Sequence, residues 1–261
     1  MRTLFVLVTV LCVLLVPLSV KLYQARQQRL AVEWLWANGC HVQYDYVLDE
    51  DRPFDIPEPM NILWLRSILG NDFFDTVEFV DIRSKEVDDL SQLTQLKGLR
   101  SLSLSGSRIS DLTPLSQISS LKKLHLYVTK VKDLQALGDE IKLEHLSLLT
   151  NDVSDISYLS KQTNLRKLVI NESQVSDYSP ITNLTQLEEL KVFSDTLSDL
   201  EFVSQLNHLQ LLTIRLPMAT DLSPLKELSN LKRLDFFDMN IDKTEIDKLK
   251  KALPNCVINN R

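Results

Sequence analysis

Acid, hydroxyl and imidazole side chains recur at intervals of 22 residues in this chain, as Asp81, Ser103, His125 and Ser147. A histidine beside a serine is the beginning of nucleophilic catalysis, in which the imidazole takes the hydroxyl proton and a carboxylate orients the ring. If residues 22 apart are neighbours on adjacent strands, Ser103 and His125 come within hydrogen-bonding reach. The order does not suit a hydrolase. Asp81 falls beyond the serine instead of behind the histidine, and regular strands commit the N–H groups that an oxyanion hole requires. Hydrolysis by Ser103 and His125 is therefore kept only as a lesser alternative, and the chain is not expected to be an enzyme.

Other chemistries lack their residues. The histidines are His41, His125, His145 and His208, with no H-E-x-x-H, C-x-x-C or G-x-S-x-G arrangement. Five glycines, at 39, 70, 98, 106 and 138, cannot form a dinucleotide or phosphate loop, so no cofactor is expected. Cys12, Cys40 and Cys256 are too dispersed for a disulfide framework or a metal site. The formal charge is −6, yet residues 1–30 hold Arg2, Lys21, Arg26 and Arg29 without an acid. The remainder carries −10, which repels a phosphate backbone and argues against nucleic acid.

The elements that would position these side chains follow from the 22-residue period. Seven units run without insertion from Val77 to Asn230, and an altered eighth begins at Leu231. Seven offsets per unit are apolar at 47 of 49 positions, the exceptions being Glu140 and Gln162, so the period reflects the fold and not chance. Each unit opens with L-x-x-L-x-L, whose alternation predicts a short strand with one buried face. Apolar residues three apart then follow, as in Ile109, Leu112, Leu115 and Ile118, which suits a 3₁₀ return. A single coil cannot bury its own face, and stacking supplies the core.

This pattern, cleanest in the unit from Leu99 to Ser120, resembles the leucine-rich repeat, specifically the 22-residue kind of internalins. The resemblance covers about 70% of the chain. Ser103–Asp111 also resembles units of planctomycete membrane-anchored repeat proteins, which likewise begin with an R-T-L-F-V-L-V-T-V-like segment. The resemblance implies an α/β repeat solenoid: a horseshoe with a parallel concave sheet, a 3₁₀ and loop convex side, and helical caps. It implies a binding role without a particular ligand. One position departs from the pattern. Asparagine is usual at the turn after the strand, but here the residues are Lys85, Ser107, Thr129, Asn151, Ser173, Asp195, Pro217 and Met239. Short hydroxyls can replace the amide in part, whereas Pro217 and Met239 cannot donate.

Four residues later a row of carboxylates appears: Asp89, Asp111, Asp133, Asp155, Asp177, Asp199 and Asp221. Calcium binding and capping of the return turn both use aspartate; Asp-Leu followed by Ser/Thr-Pro is turn chemistry, so capping is expected. Arg26–Asn38 reads as a helix stopped by Gly39, residues 42, 44, 46 and 48 as a strand, Asp49–Pro59 as an acidic loop, and 61–69 as a short helix. Lys243–Leu253 reads as an amphipathic helix, 254–258 as a final strand, and Cys256 as a buried structural thiol.

Ahead of all this, Thr3–Val20 is uncharged for eighteen residues and is followed by Lys21. That length approaches a bilayer span, and an uncleaved single-pass anchor is expected. A cleaved signal peptide is the rival, although no A-x-A-like site ends the run. Arg2 against Lys21, Arg26 and Arg29 leaves the side of the repeat domain open. The expected organisation is an anchor at 1–22, a linker helix and N-terminal cap at 23–76, seven repeats at 77–230, and a last repeat with C-terminal cap at 231–261.

The concave strip then becomes the candidate site. One outward row holds Arg83, Ser105, Tyr127, Leu149, Asn171, Phe193, Arg215 and Phe237. Beside it lie Asp81, Ser103, His125, Ser147, Val169, Lys191, Thr213 and Asp235. Tyrosine, phenylalanine and arginine are enriched at interfaces, and the core does not need them here. Arg83, Tyr127, Leu149, Asn171, Phe193, Arg215 and Phe237 are the expected partner-binding residues of a monomeric, membrane-anchored protein-interaction module. A structural envelope protein without a partner is the alternative. Asn171-Glu-Ser173 and Asn183-Leu-Thr185 match the glycosylation pattern and are read as coincidence, since a glycan on Asn171 would obstruct the row.

Overall fold

The computed structural model describes residues 2–45, 63–171, 174–239 and 241–260, with the side chains of 2–12, 14, 63 and 64 excepted. Among the described residues ten strands form one open sheet in strict sequence order. They are β1 (His41–Tyr44), β2 (Val77–Ile82), β3 (Ser101–Ser105), β4 (Lys123–Tyr127), β5 (His145–Leu149), β6 (Lys167–Asn171), β7 (Glu189–Phe193), β8 (Leu211–Arg215), β9 (Arg233–Phe236) and β10 (Val257–Asn260). β1 pairs antiparallel with β2, and every later pair is parallel. From β2 to β9 the register aligns residues 22 apart, as in Leu102, Leu124, Leu146 and Leu168. The sequence period is thus the rung spacing of the sheet.

Each full repeat returns through one 3₁₀ turn, for example Thr113–Gln117 and Ser223–Glu227. Because side chains alternate along a strand, the two inward positions of every repeat strand enter the core, and leucines such as 102, 104, 146 and 168 are fully buried. The row of aspartates lies at the entry to these turns. All seven accept a hydrogen bond from the backbone N–H two residues on, at 2.7–3.1 Å. They are turn caps, as expected.

The two exceptions to the apolar pattern are one local event. Glu140 is exposed and the adjacent Ile141 is buried in its place. That shift removes the ordinary backbone pairing at this turn. The fully buried Gln162 of the next coil replaces it, accepting from Leu143 N–H at 2.9 Å and donating to the Ile141 carbonyl at 3.1 Å. The turn after the strand is likewise more varied than one position suggests. Ser107, Thr129, Asn151 and Met239 point inward, and Asn151 bridges coils by accepting from Thr129 N–H and hydroxyl and donating to the Leu126 carbonyl. In the last two full repeats the inward residue comes one place earlier, as Ser194 and Leu216, leaving Asp195 and Pro217 exposed. Ser173 lies outside the described residues.

The first helix, α1 (Arg2–Ala37), is continuous through Pro17 and past residue 22, about 54 Å long at 1.5 Å per residue. Its second half is the N-terminal cap: Ala25, Ala31, Val32 and Leu35 are buried against the first coil. Gln28, also buried, donates to the Asp75 carbonyl at 2.8 Å and accepts from Val77 N–H at 3.3 Å. Gly39, at φ +71°, reverses the chain after α1. The short helix α2 (Leu63–Leu69) supplies Arg66, which forms a buried ion pair with Asp75. The strand expected over 42–48 is β1; Tyr46, Leu48 and the acidic loop lie outside the described residues.

Among the described residues no helix is long and apolar enough to cross a membrane. Residue 1 and the side chains of 2–12 and 14, which hold most of the uncharged run, lie outside that set, and the expected single-pass anchor is not supported by the described part of α1. At the other end, α3 (Lys243–Ala252) and β10 close the solenoid. Cys256 is half-buried there instead of fully buried, because β10 is an edge strand of the described sheet.

Candidate functional site

The concave surface is made of three outward columns, since each five-residue strand turns three side chains away from the core. Two are the columns read from the sequence. The third, at the start of the strands, holds Phe79, Ser101, Lys123, His145, Lys167, Glu189, Leu211 and Arg233, and was not singled out in the sequence. The signal was available: these residues lie two places before the middle column and so share its face.

The proposed contact residues do lie along one column, but unequally presented. Tyr127 is 50% exposed, and Val128 beside it is 45% exposed. Arg83 and Asn171 are exposed, whereas Leu149, Phe193, Arg215 and Phe237 are half-buried. Arg83 is paired with Asp81 at 2.8 Å, and Arg215 with Asp195 at 2.9 Å. In the middle column Asp81, Ser147 and Asp235 are buried, and Asp235 is held by Arg233 at 2.7 Å and by Asn259 at 2.7 Å.

The serine–histidine pairing differs from expectation. His125 Nδ1 lies 3.1 Å from the hydroxyl of Ser147 on β5, not from Ser103 on β3. Asp81 is two strands away from His125 with its carboxylate engaged by Arg83, so among the described residues no acid is placed to orient the imidazole. The triad alternative on Ser103 and His125 therefore lacks its geometry.

The first column gives the face its electrostatics. Lys123, His145 and Lys167 occupy consecutive strands in direct register, about 4.8 Å apart. Burial first, and then His145, Lys167 and Lys123, push His125 below the ordinary imidazole value. His145 is lowered by burial and by Lys123 and Lys167, with partial opposition from Glu144 and Glu189. Burial pushes Glu189 up, but hydrogen bonds from Lys167 and Lys191 outweigh it and hold the carboxylate below its usual range. Along the strand starts, Arg100–Glu78, Lys122–Glu144 and Arg166–Glu188 form a rim of ion pairs at 3.1, 3.4 and 2.6 Å. A groove of about 750 Å³, lined by Gln43, Phe79, Arg100, Ser101 and Lys123, opens at this rim.

No family model matches the chain, and no curated protein matches it. Solved structures do. Internalin C2 of Listeria monocytogenes is 25% identical, with a TM-score of 0.61 over 71% of this chain and 81% of that one. An internalin, InlF, of the same organism is 23% identical, with a TM-score of 0.55 over 76% of this chain and 55% of its own. A leucine-rich-repeat protein of Leptospira interrogans is 22% identical, with a TM-score of 0.52 over 66% of this chain and 51% of its own. This chain spans about half the length of the latter two. Uninterrupted 22-residue coils, a parallel sheet in sequence order and one 3₁₀ return per coil make the chain a leucine-rich-repeat solenoid of internalin-like architecture.

Proposed function

We propose that the chain is a protein-interaction module that presents its concave sheet to a partner and is held at a membrane by the uncharged run of α1. The fold is typical of protein–protein interaction modules, and the similar structures are internalins and a leucine-rich-repeat protein. The observation that carries the reading is the exposed pair Tyr127–Val128, continued along the same column by Leu149 and Phe193. These side chains serve no core; Tyr127 and Leu149 pair on successive rungs, and Phe193 follows in the same column beyond Asn171, so together they make a patch. The anchor reading rests on the sequence run Thr3–Val20, eighteen residues without a charge and close to the length that spans a bilayer. Lipid is the environment in which a helix apolar on all sides is stable.

The test uses the full chain as bait with the membrane fraction of its source. Tyr127→Ala with Phe193→Ala removes two anchors; truncating a true hot spot costs about 2 kcal/mol or more, roughly 30-fold in affinity. Capture of one stoichiometric partner, lost in this variant at unchanged melting temperature, is the expected result. Lys226→Ala with Lys232→Ala, both off the three columns, should leave capture intact. Absence of any stoichiometric partner would favour a structural envelope role, and loss of capture only in the lysine control would place the contact elsewhere.

A further inference from the structure

The outward positions of β2–β9, including Arg83 just past β2 and Phe237 just past β9, carry six cations and three carboxylates: Arg83, Lys123, Lys167, Lys191, Arg215 and Arg233 against Asp81, Glu189 and Asp235. The face is therefore +3 in a chain of formal charge −6, whose remainder carries −9. All three carboxylates are engaged within the face, by Arg83, by Lys167 and Lys191, and by Arg233. Among the described residues Lys123 has no ion pair. The unneutralised charge is thus Lys123 on β4 and the surplus of Lys167 and Lys191 over their shared Glu189 on β6–β7; Lys123, His145 and Lys167 stand side by side, with His125 in the next column.

We propose that this centre binds an acidic polypeptide segment, and that its two histidines make the binding tighten as the pH falls from 7.5 to 5.5. The inference rests on the concave-face reading above and adds the chemistry of the partner. A basic island on an acidic protein concentrates anions at one place and repels them elsewhere, which gives register as well as attraction. A polypeptide suits the site better than a polyphosphate. Tyr127 and Leu149 lie on the same face, across the His125–Ser147 column from the lysines, and offer apolar contact, while Glu189 and the surrounding −9 oppose a continuous row of phosphates.

The sign of the pH effect follows from the groups around each ring. His125 faces Lys123 on its own strand, Ser101 and Ser103 on β3, His145 and Ser147 on β5, and Lys167 on β6. His145 faces Lys123 and His125 on β4 and Lys167 on β6, with Glu144 and Glu189 as its acidic neighbours. In the free protein burial and these cations keep both rings neutral at pH 7.5. A carboxylate placed over them favours the protonated form, so binding takes up protons and strengthens on acidification. Partner carboxylates remain mostly ionised down to about pH 5.

The probe is a fluorescein-labelled twelve-residue oligoglutamate, titrated with the full chain at low salt and followed by anisotropy. Lys123→Gln with Lys167→Gln should weaken binding about five-fold, as two exposed ion pairs predict. Lys226→Gln with Lys251→Gln, which removes the same charge off the face, should leave it within about two-fold. Lowering the pH to 5.5 should tighten binding several-fold, and His125→Gln with His145→Gln should abolish that response while the thermal midpoint at pH 7.5 is retained. Equal weakening by the control pair, or a pH response that survives the histidine changes, would overturn the proposal. So would inorganic polyphosphate binding more tightly than oligoglutamate through the same lysines, which would identify a phosphate polymer as the occupant. If oligoglutamate fails to bind while Tyr127→Ala with Phe193→Ala still loses the captured partner, the acidic chemistry is wrong and the concave reading stands. If oligoglutamate binds as expected but that variant keeps its partner, the partner contacts another surface.

Discussion

Gln162 shows how a residue that violates a repeat can be required by it. Its side chain pairs with the carbonyl of Ile141 and the N–H of Leu143, both buried by the shifted turn at Glu140. Gln162→Leu restores the apolar consensus, yet it should destabilise the fold by about 2–4 kcal/mol, because two buried backbone groups lose their partners. An unchanged or raised urea midpoint would show that the turn can relax. A second residue is under backbone strain. Gly106, Val128, Thr150 and Asp238 share one offset and all have positive φ, at +62°, +52°, +57° and +50°. Only the first is a glycine. For β-branched Val128 this conformation is costly, by about 1–2 kcal/mol, and its side chain is already 45% exposed. Val128→Gly should raise the melting temperature by about 2–4 °C after the entropic cost of glycine is subtracted. A lower melting temperature would mean that the valine packs usefully.

The return turns are the element on which acid acts. Each begins with an aspartate accepting from a backbone N–H, and the residue between them, such as Leu112 or Ile156, is buried. Hydrogen bonds from Thr113 (side chain, then backbone) hold Asp111 below the ordinary carboxylate value, and those from Ser157, Ser179 and Ser223 do the same for Asp155, Asp177 and Asp221. A depressed carboxylate stabilises the fold above its unfolded pKa, and that contribution is lost as the pH falls through the folded value. Stability should therefore decline below about pH 4. Changing Asp111, Asp155, Asp177 and Asp221 to Asn keeps an oxygen acceptor at each turn but removes the titration. The urea midpoint of this variant should be flatter between about pH 4 and pH 2, and an acid limb identical to the parent's would assign acid unfolding to other groups.

At the scale of the molecule the solenoid has two ends, and the first is closed by α1. Stacked coils are stable only while their outermost faces are covered. Ala31, Val32, Leu35 and the Gln28 hydrogen bonds do this for the first coil, whereas Lys21 contributes only a contact over the Phe73 ring at 4.8 Å. Removing residues 1–20 should leave the urea midpoint unchanged and move the chain from the membrane pellet to the supernatant. Removing residues 1–36 should lower the midpoint and expose the amides of β2 and β3 to hydrogen exchange. Full-length chain found in the supernatant, with its mass reduced by cleavage near residue 20, would replace the anchor with a cleaved signal.

The sequence by itself determined the coil length, the parallel order of strands, the inward leucines and the aspartate-led turns. Each of these depends on contacts within one coil or on identical contacts repeated every 22 residues, which periodicity records directly. Helix α3 and the Gly39 stop were legible for a similar reason, since caps and amphipathic spacing are local. The concave face was legible only in part. Its middle and last columns could be read from strand alternation, but its extent to Lys123, His145 and Lys167, and hence its charge, emerged when the strands were set in register. The partner of His125 needed tertiary structure outright: Ser103 and Ser147 are equivalent in sequence spacing, and side-chain orientation across the sheet selected Ser147. The inward residues Ser194 and Leu216 and the Gln162 bridge also depended on the folded chain, because each answers a backbone shift in a turn whose geometry no 22-residue count contains.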